Sequence, residues 1–239
     1  MTITTTRIAM LAILALPLAV SARQDPLTPD QRVAALKQSL ADSQARLHKY
    51  EWIETTIISL KGEEKARSQK RVYYGADGKL QKLDIAAAPE AKADPTGRRA
   101  GKLKTKIVEN KKSDMQEYME RASVLIHQYV PPAPAQVQKV KDAGRLAITP
   151  LDQGRVGVQF TDYLQTGDRL TVVVNAKANN LDSLIVATYL DQPEDTVALD
   201  VRFGTLEDRT SYTAQTTLDA KAKNIRVVVQ NSGHRPLKQ

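Results

Sequence analysis

The feature that most constrains the fold is an alternation of apolar and polar residues, with a period of two, in the C-terminal half of the chain. It is clearest over residues 196–205. The apolar members there are Val197, Leu199, Val201 and Phe203. Ile225, Val227 and Val229 repeat the pattern near the end. A period of two is typical of a β-strand with one buried face and one hydrated face.

Turn signals separate ten predicted strands with short connections. Asp77-Gly78 supplies the positive φ that hairpin turns use, and Asn179-Asn180 marks another turn. The predicted strands cover residues 50–60, 65–74, 79–85, 145–150, 155–161, 168–176, 182–190, 196–205, 210–218 and 223–230. Strands joined by short connections pair with their neighbours, so the pattern predicts an antiparallel sheet.

Two amphipathic helices are predicted beside this sheet. The first covers residues 27–49, where Thr28 and Gln31 form a capping box and Pro29 fits the first helical position. The second runs near 113–130, with a capping box at Ser113/Gln116 and an earlier start as the alternative, and ends at Pro131. A third, short helix is predicted over about 135–143. Their apolar stripes need a large apolar surface, and one face of the sheet provides it, which gives an α+β fold.

The N-terminus reads as a secretory signal. Arg7 is the only charged residue before an apolar run over residues 8–20, and Val20-Ser21-Ala22 offers the small residues that a signal peptidase reads. We expect cleavage after Ala22. The alternative is a membrane anchor, but the run is well short of the roughly 20 residues of a spanning helix.

The absence of cysteine shapes the rest of the chain. With no cysteine in the sequence, the chain has no lipobox, so it is not expected to be a lipoprotein; disulfides and thiolate metal sites are excluded. Residues 23–239 are therefore expected to form a single α+β domain held by its core. The protein is expected to be periplasmic or extracellular.

Positive charge is concentrated in one region. Residues 61–112 hold 15 Lys and Arg against 7 Asp and Glu, whereas the whole chain carries +8. Residues 86–112 are predicted to be a basic mobile loop. Its candidates for contact with an anionic surface, such as lipid headgroups, are Arg98, Arg99, Lys102, Lys104 and Lys106. The alternative is a solvated loop without a partner. Nucleic acid is not expected, because no stacking platform is visible.

An aromatic and methionine set is the second candidate site. Tyr50 and Tyr129 belong to the wider set. The candidate ligand-binding residues are Trp52, Ile58, Met115, Tyr118, Met119 and Ala122. Methionine adapts to irregular ligands, so these residues could line a cavity between a strand and the second helix. Ordinary core packing is the alternative interpretation.

Catalytic and metal motifs were sought and not found. His48, His127 and His234 have no metal-ligand spacing, and the sequence has no G-x-S-x-G elbow and no calcium-loop spacing. We therefore predict no catalytic residue, no metal and no cofactor. Acidic groups such as Asp191 and Glu194 lie at predicted turns, where carboxylates are common for backbone reasons.

Three stretches carry a family resemblance: residues 50–83, 115–132 and 188–232. They look like a group of exported bacterial proteins of uncharacterised activity. The order of elements also resembles the periplasmic lipoprotein-carrier fold of the LolA/LolB type. That resemblance implies a curved sheet of about ten strands, an incomplete barrel, with two or three helices on its concave face and an apolar cavity for acyl chains.

Three functions follow as hypotheses. The preferred one is a non-enzymatic periplasmic carrier for an apolar or acylated ligand that docks to an anionic membrane. The second is an envelope scaffold subunit with a filled interior, which contacts a protein through a sheet edge or the basic loop. A hydrolase is the third, and it needs a nucleophile and a base within hydrogen-bond reach.

Overall fold

The computed structural model describes residues 29–86 and 101–237. They contain three α-helices and ten β-strands. The helices are α1 (Pro29–Leu47), α2 (Gly101–His127) and α3 (Pro134–Asp142). The strands are β1 (Tyr50–Leu60), β2 (Glu63–Tyr74), β3 (Leu80–Ala86), β4 (Leu146–Pro150), β5 (Arg155–Thr161), β6 (Arg169–Asn175), β7 (Asn180–Tyr189), β8 (Thr196–Thr205), β9 (Ser211–Ala220) and β10 (Ile225–Pro236).

All ten strands form one antiparallel sheet in the order β3-β2-β1-β10-β9-β8-β7-β6-β5-β4. Consecutive strands of the chain are neighbours in the sheet except β3 and β4, which the chain joins through α2 and α3. In addition, the first strand, β1, pairs with the last, β10, along almost its whole length. β3 and β4 are edges, so the sheet is not closed. The predicted fold class is confirmed: an α+β, open, curved half-barrel.

The strand register places one apolar row across the helix-bearing face of the sheet. Ile58 of β1 pairs with Val227 of β10, which pairs with Leu218 of β9. The row continues through Leu199, Val186, Leu170, Phe160 and Leu146 on strands β8 to β4. Directly opposed residues of antiparallel strands project to the same face, so these side chains form one band, here called the apolar row.

The C-terminal half of α2 and helix α3 bury the β5–β8 part of this row. Ala122 and Ile126 of α2, Tyr129 just after α2, and Val140 of α3 lie in one buried cluster. Their partners on the sheet side are Phe160, Tyr163, Leu170, Leu184, Val186, Val197, Leu199 and Val201. The main core therefore lies between α2, α3 and the central strands.

A smaller cluster forms where the middle of α2 crosses the ends of β1, β9 and β10. Tyr118, Ala220 and Ile225 are buried there. Leu60, Met115, Met119, Leu190 and Val227 pack against them. The two clusters together place α2 along one end of the strands, over the turns that end β1, β7 and β9.

Helix α1 lies at the other end of the strands. It contacts β7 and β9. Near its C-terminus, Arg46 Nε donates a hydrogen bond of 3.0 Å to Thr210 Oγ1 beside the β8–β9 turn. Gln44 Nε2 donates one of 2.8 Å to the hydroxyl of Tyr74 at the end of β2. Helices therefore sit at both ends of the strands.

A buried carboxylate joins α2 to the β5–β6 turn. Asp168 is fully buried, and its Oδ2 accepts hydrogen bonds from the Tyr129 hydroxyl at 2.5 Å and from the N–H groups of Leu164 at 2.9 Å and Gln165 at 2.8 Å. The Tyr129 hydroxyl also lies 2.8 Å from Thr188 Oγ1. Burial, reinforced by Asp168, raises the pKa of Tyr129. The phenol therefore stays protonated and keeps its donor.

The start of α2 corrects the sequence prediction. Residues 101–112, predicted as part of the basic loop over 86–112, form the first half of this helix. The helix therefore takes the earlier start that the sequence left open, and the loop prediction is wrong for these residues. Lysine, leucine and glutamate are good helix formers, and the sequence has no proline from residue 101 to residue 130. Clustered charge is as compatible with a solvated helix as with a loop. Residues 87–100 of the predicted loop lie outside the described residues.

Substitution Tyr129→Phe should destabilise the fold, because it leaves the buried carboxylate of Asp168 short of one donor. We expect a loss of about 1–3 kcal/mol in the free energy of unfolding, measured by urea denaturation. Tyr189→Phe is the matched control, since that hydroxyl donates to Thr166 O at an exposed position; it should cost about 0.5 kcal/mol or less. Equal losses in the two variants would contradict the role of Asp168.

Candidate functional site

The apolar row runs past the helices that cover it. Val186, in the middle of the row, is 0% exposed, whereas Ile58 at its β1 end is 40% exposed. One row further along the strands, Thr56 pairs with Val229, and both are partly buried. Thr56, Ile58, Val227 and Val229 therefore form an incompletely covered apolar surface on β1 and β10, here called the open strip.

The open strip is exposed because the cluster that α2 forms with the end of β1 includes no residue of β2. Opposite Ile58 and Thr56 on β2 stand Ala66 and Ser68, and both are exposed. Small side chains on β2 give a covering helix little to pack against. The apolar face of the sheet thus ends in an accessible margin rather than in a sealed core.

Two methionines of α2 border the open strip. Met115 and Met119 are partly buried and pack in the same cluster as Leu60 and Val227. A methionine side chain is unbranched and has three rotatable bonds, so it can move to fit an irregular guest. This border can adjust its shape without moving the helix.

Tyr118, on the same turns of α2, is held in place by polar contacts. Its hydroxyl donates a hydrogen bond to Asp195, and Lys223 Nζ lies 5.6 Å from the centre of its ring. Burial, with help from Asp195, raises the pKa of this tyrosine. Tyr118 therefore fixes α2 to the β7–β8 connection and is not free to line a guest.

Trp52 lies near the start of β1, on the same face of the sheet as Ile58. It is buried, its Nε1 donates a hydrogen bond of 3.1 Å to Asn231 Oδ1, and its ring stacks on His234 with centroids 5.6 Å apart. The centre of the Tyr212 ring lies 4.1 Å from the centre of the His234 ring. Burial lowers the pKa of His234, so the cluster favours a neutral imidazole. Trp52 is six residues from Ile58, a span of about 20 Å along the strand.

The six predicted ligand-binding residues do not converge on one pocket. Ile58 lies in the open strip, and Met115 and Met119 border it. Ala122 is fully buried in the main core, Tyr118 is buried in the smaller cluster, and Trp52 belongs to the aromatic cluster at the far end of β1. The set thus shares one face of the sheet and is divided among three environments.

Surface clefts lie away from the α2–sheet interface. Five clefts of about 290 to 780 Å³ occur on the described part of the chain, and no α2 residue lines any of these five. The largest of them is lined by polar residues of α1 and of the β6–β7 and β8–β9 turns, among them Gln38, Asp42 and Arg46. Between α2 and the central strands, the space is filled by side chains of the main core.

Each of the three histidines makes structural contacts with neighbouring residues. His48 stacks on Tyr74 at a centroid distance of 3.9 Å, and His234 lies between Trp52 and Tyr212. His127 Nδ1 lies 2.7 Å from the carbonyl oxygen of Ser123 and 3.5 Å from its Oγ. A carbonyl only accepts, so this nitrogen donates and cannot take a proton from the serine. Within residues 29–86 and 101–237, no group of three His, Cys, Asp or Glu could hold a metal ion.

The predicted basic residues divide between two regions. Arg98 and Arg99 lie outside the described residues, and Lys102, Lys104 and Lys106 lie in the first two turns of α2. The cations of the neighbouring hairpins face acids: Lys82 Nζ lies 2.7 Å from Glu54, and Lys70 Nζ lies 3.6 Å from Asp84. Residues 87–112, between β3 and the middle of α2, hold 8 Lys and Arg against 3 Asp and Glu, so most of the positive excess lies there.

The β10 residues of the open strip, Val227 and Val229, were not predicted from the sequence as part of a site. The alternation of Val227 and Val229 was recognised, but not their position beside β1. These residues pair with strand residues about 170 positions earlier, through the Ile58–Val227 and Thr56–Val229 pairs. A hydrophobic period locates a strand and its buried face, but the identity of a distant neighbour has no local signal.

Comparisons with known proteins show no family for this chain and a low similarity to solved structures. No family model matches the sequence, and neither does any curated protein. A DUF1329 family protein from Desulfovibrio piger is 9% identical, with 85% of this chain and 92% of that chain covered and a TM-score of 0.38. A LolA superfamily protein from Nitrosomonas europaea is 8% identical, with 85% and 94% covered and a TM-score of 0.36. No helix of the described residues is long and apolar enough to cross a membrane.

Proposed function

We propose that this protein is a non-enzymatic, exported binding or carrier protein that holds an apolar or acylated ligand on the open strip. The observation that carries the proposal is the loss of cover along the apolar row, from a fully buried Val186 to a 40% exposed Ile58. An apolar band that is continuous with the core but open at one end offers a guest a surface that is already shaped and partly dehydrated.

The dimensions suit an acyl chain. From Thr56 to Leu60 the helix-bearing face of β1 extends for about 13 Å. Glu54, which binds Lys82, bounds this stretch on the side of Trp52. Each methylene removed from water contributes about 0.8 kcal/mol, so about ten methylenes would contribute about 8 kcal/mol before the cost of ordering the chain. Without that cost the gain would correspond to a dissociation constant of about 1 µM, so the measured affinity should be micromolar or weaker.

The side chains around the open strip are suited to binding a ligand without catalysing a reaction on it. The aromatic, aliphatic and methionine residues there offer no nucleophile–base pair, and the one serine–histidine contact on α2 has its nitrogen turned to a carbonyl. A guest would therefore be held by apolar contact alone and released unchanged. We predict no cofactor for this function.

Export and membrane docking complete the proposal. The signal pattern in residues 1–22, which lie outside the described residues, supports export. The lysines at the start of α2 and Arg98 and Arg99 before it supply charge for an anionic membrane surface. A carrier needs such a surface to take up or deliver its guest.

A scaffold without a ligand is the second candidate function. The filled contact between α2 and the central strands favours it, because an enclosed acyl-chain cavity would need space there. In that case the open strip would be covered by a protein partner rather than by a lipid. The ligand-binding experiment separates the two functions.

The variant Ile58→Glu should abolish ligand binding on the open strip. A fluorescent fatty acid titrated into the wild-type protein should bind with micromolar or weaker affinity, and the variant should bind at least about tenfold more weakly, since an ionised carboxylate is costly to bury against an acyl chain. Probe fluorescence is the measurement.

Ile185→Glu is the matched control, because Ile185 is also 40% exposed but lies on the opposite face of the sheet. Its affinity for the probe should equal that of the wild type. Equal weakening by both substitutions would contradict the site. Failure of the wild-type protein to bind any probe would favour the scaffold.

Replacing Lys102, Lys104 and Lys106 together by glutamine should weaken binding to anionic vesicles. Each lysine near such a surface contributes about 1 kcal/mol, so the triple variant should bind phosphatidylglycerol-containing vesicles about a hundredfold more weakly. Co-sedimentation is the measurement, with pure phosphatidylcholine vesicles as the uncharged reference. The control triple Lys37, Lys139 and Lys141→Gln should bind like the wild type; equal losses would remove the start of α2 from the docking surface.

A further inference from the structure

Strand β3 is an edge with exposed apolar side chains. It pairs with β2 on one side, and no strand of the described residues pairs with its other side. Leu80, Leu83 and Ile85 are 43%, 45% and 49% exposed. An edge of this kind presents unpaired backbone N–H and C=O groups beside apolar surface, and it is a template for another strand.

The sequence of β3, LQKLDIA, is complementary to itself. When two copies are aligned antiparallel about Leu83, each leucine faces its own counterpart. Lys82 of each copy then faces Asp84 of the other, Gln81 faces Ile85, and Leu80 faces Ala86. Both charges of the strand are matched in this register, and the full length of the strand is used.

Other registers that keep the same faces together are disfavoured. A shift of two residues in one direction places Lys82 opposite Lys82, and the shift in the other direction places Asp84 opposite Asp84. Like charges directly opposed across antiparallel strands are destabilising, whereas opposite charges stabilise the pair. The charges of the edge therefore permit one alignment and oppose its neighbours.

The surrounding charges extend this complementarity. Lys82 Nζ lies 2.7 Å from Glu54 on β1, and Asp84 lies 3.6 Å from Lys70 on β2. Lys82 and Asp84 alternate with Leu83, so they lie on the helix-bearing face, and Leu83 and Ile85 lie on the opposite face. Pairing would continue a charge network on one face and join the exposed Leu83 and Ile85 side chains on the other.

We propose that two copies of this chain pair antiparallel through β3, centred on Leu83, to form a symmetric dimer with one continuous sheet. The two-fold axis would stand perpendicular to the sheet, so the helices and the open strips of both copies would lie on the same side. The interaction does not depend on which ligand, if any, the open strip binds.

The absence of cysteine makes the two-fold axis directly testable. In the variant Leu83→Cys the two introduced thiols would face each other, within the Cα separation that a disulfide needs. Mild oxidation should convert most of this variant into a covalent dimer. Leu80→Cys and Ile85→Cys, at equally exposed positions of the same strand, would face Ala86 and Gln81 and should give little dimer. Equal cross-linking of all three variants would overturn the proposal.

Sedimentation analysis tests the same surface without cysteine. The wild type should dimerise in a concentration-dependent manner by about 100 µM, and Leu83→Lys, which opposes two ammonium groups at the axis, should raise the dissociation constant at least about tenfold. Leu151→Lys is the control, since Leu151 is 41% exposed away from β3; its dimerisation should be unchanged. A wild type that is monomeric at that concentration, or an equal effect of both lysines, would overturn the proposal.

Discussion

The pairing of β1 with β10 is the interaction on which the rest of the structure depends. It joins the first strand to the last through a register from Tyr50–Pro236 to Leu60–Ile225, and it makes one sheet out of an N-terminal meander and a C-terminal meander. Without it the three-strand unit β1–β3 would have no apolar face to share, because the helices pack mainly on the C-terminal strands. The open strip lies on this seam, so the same long-range contact that completes the fold also builds the candidate site.

The helices cover the apolar face of the sheet unequally. The core lies where they pack on it, and the candidate site lies where they do not. Over β5 to β8, α2 and α3 fill the face with Ala122, Ile126 and Val140, and the buried Asp168–Tyr129 hydrogen bond holds the end of α2 to the β5–β6 turn. Around Ile58 of β1 and the facing Ala66 and Ser68 of β2, the same face has no equivalent cover, and Ile58 remains partly exposed. One apolar face of the sheet is therefore sealed by the helices over β5 to β8 and left accessible at the open strip.

Local patterns in the sequence predicted the elements well, and the relations between distant elements poorly. The predicted runs located nine of the ten strands to within two residues at each end, because alternation and turn chemistry are local. The last strand, predicted over 223–230, continues to Pro236. Residues 101–112 at the start of α2 were assigned to the loop, since the Ser113 capping box resembled a helix start and the lysines before it resembled a loop. Trp52, Ile58 and Tyr118 were grouped by residue type, but the register separates them: Trp52 lies about 20 Å along β1 from Ile58, and Tyr118 is tied to Asp195. Val227 and Val229 could not be assigned to the site because their neighbour on β1 is remote in the chain.

The most direct test of the central claim is to locate a bound acyl chain by nuclear magnetic resonance in protein with labelled methyl groups. The account predicts contacts from the acyl protons to the methyl groups of Ile58, Val227, Val229 and Met119, and none to Ile185 on the opposite face. Contacts confined to Ile185, or to the buried methyl groups of Val186 and Leu170 in the main core, would contradict it.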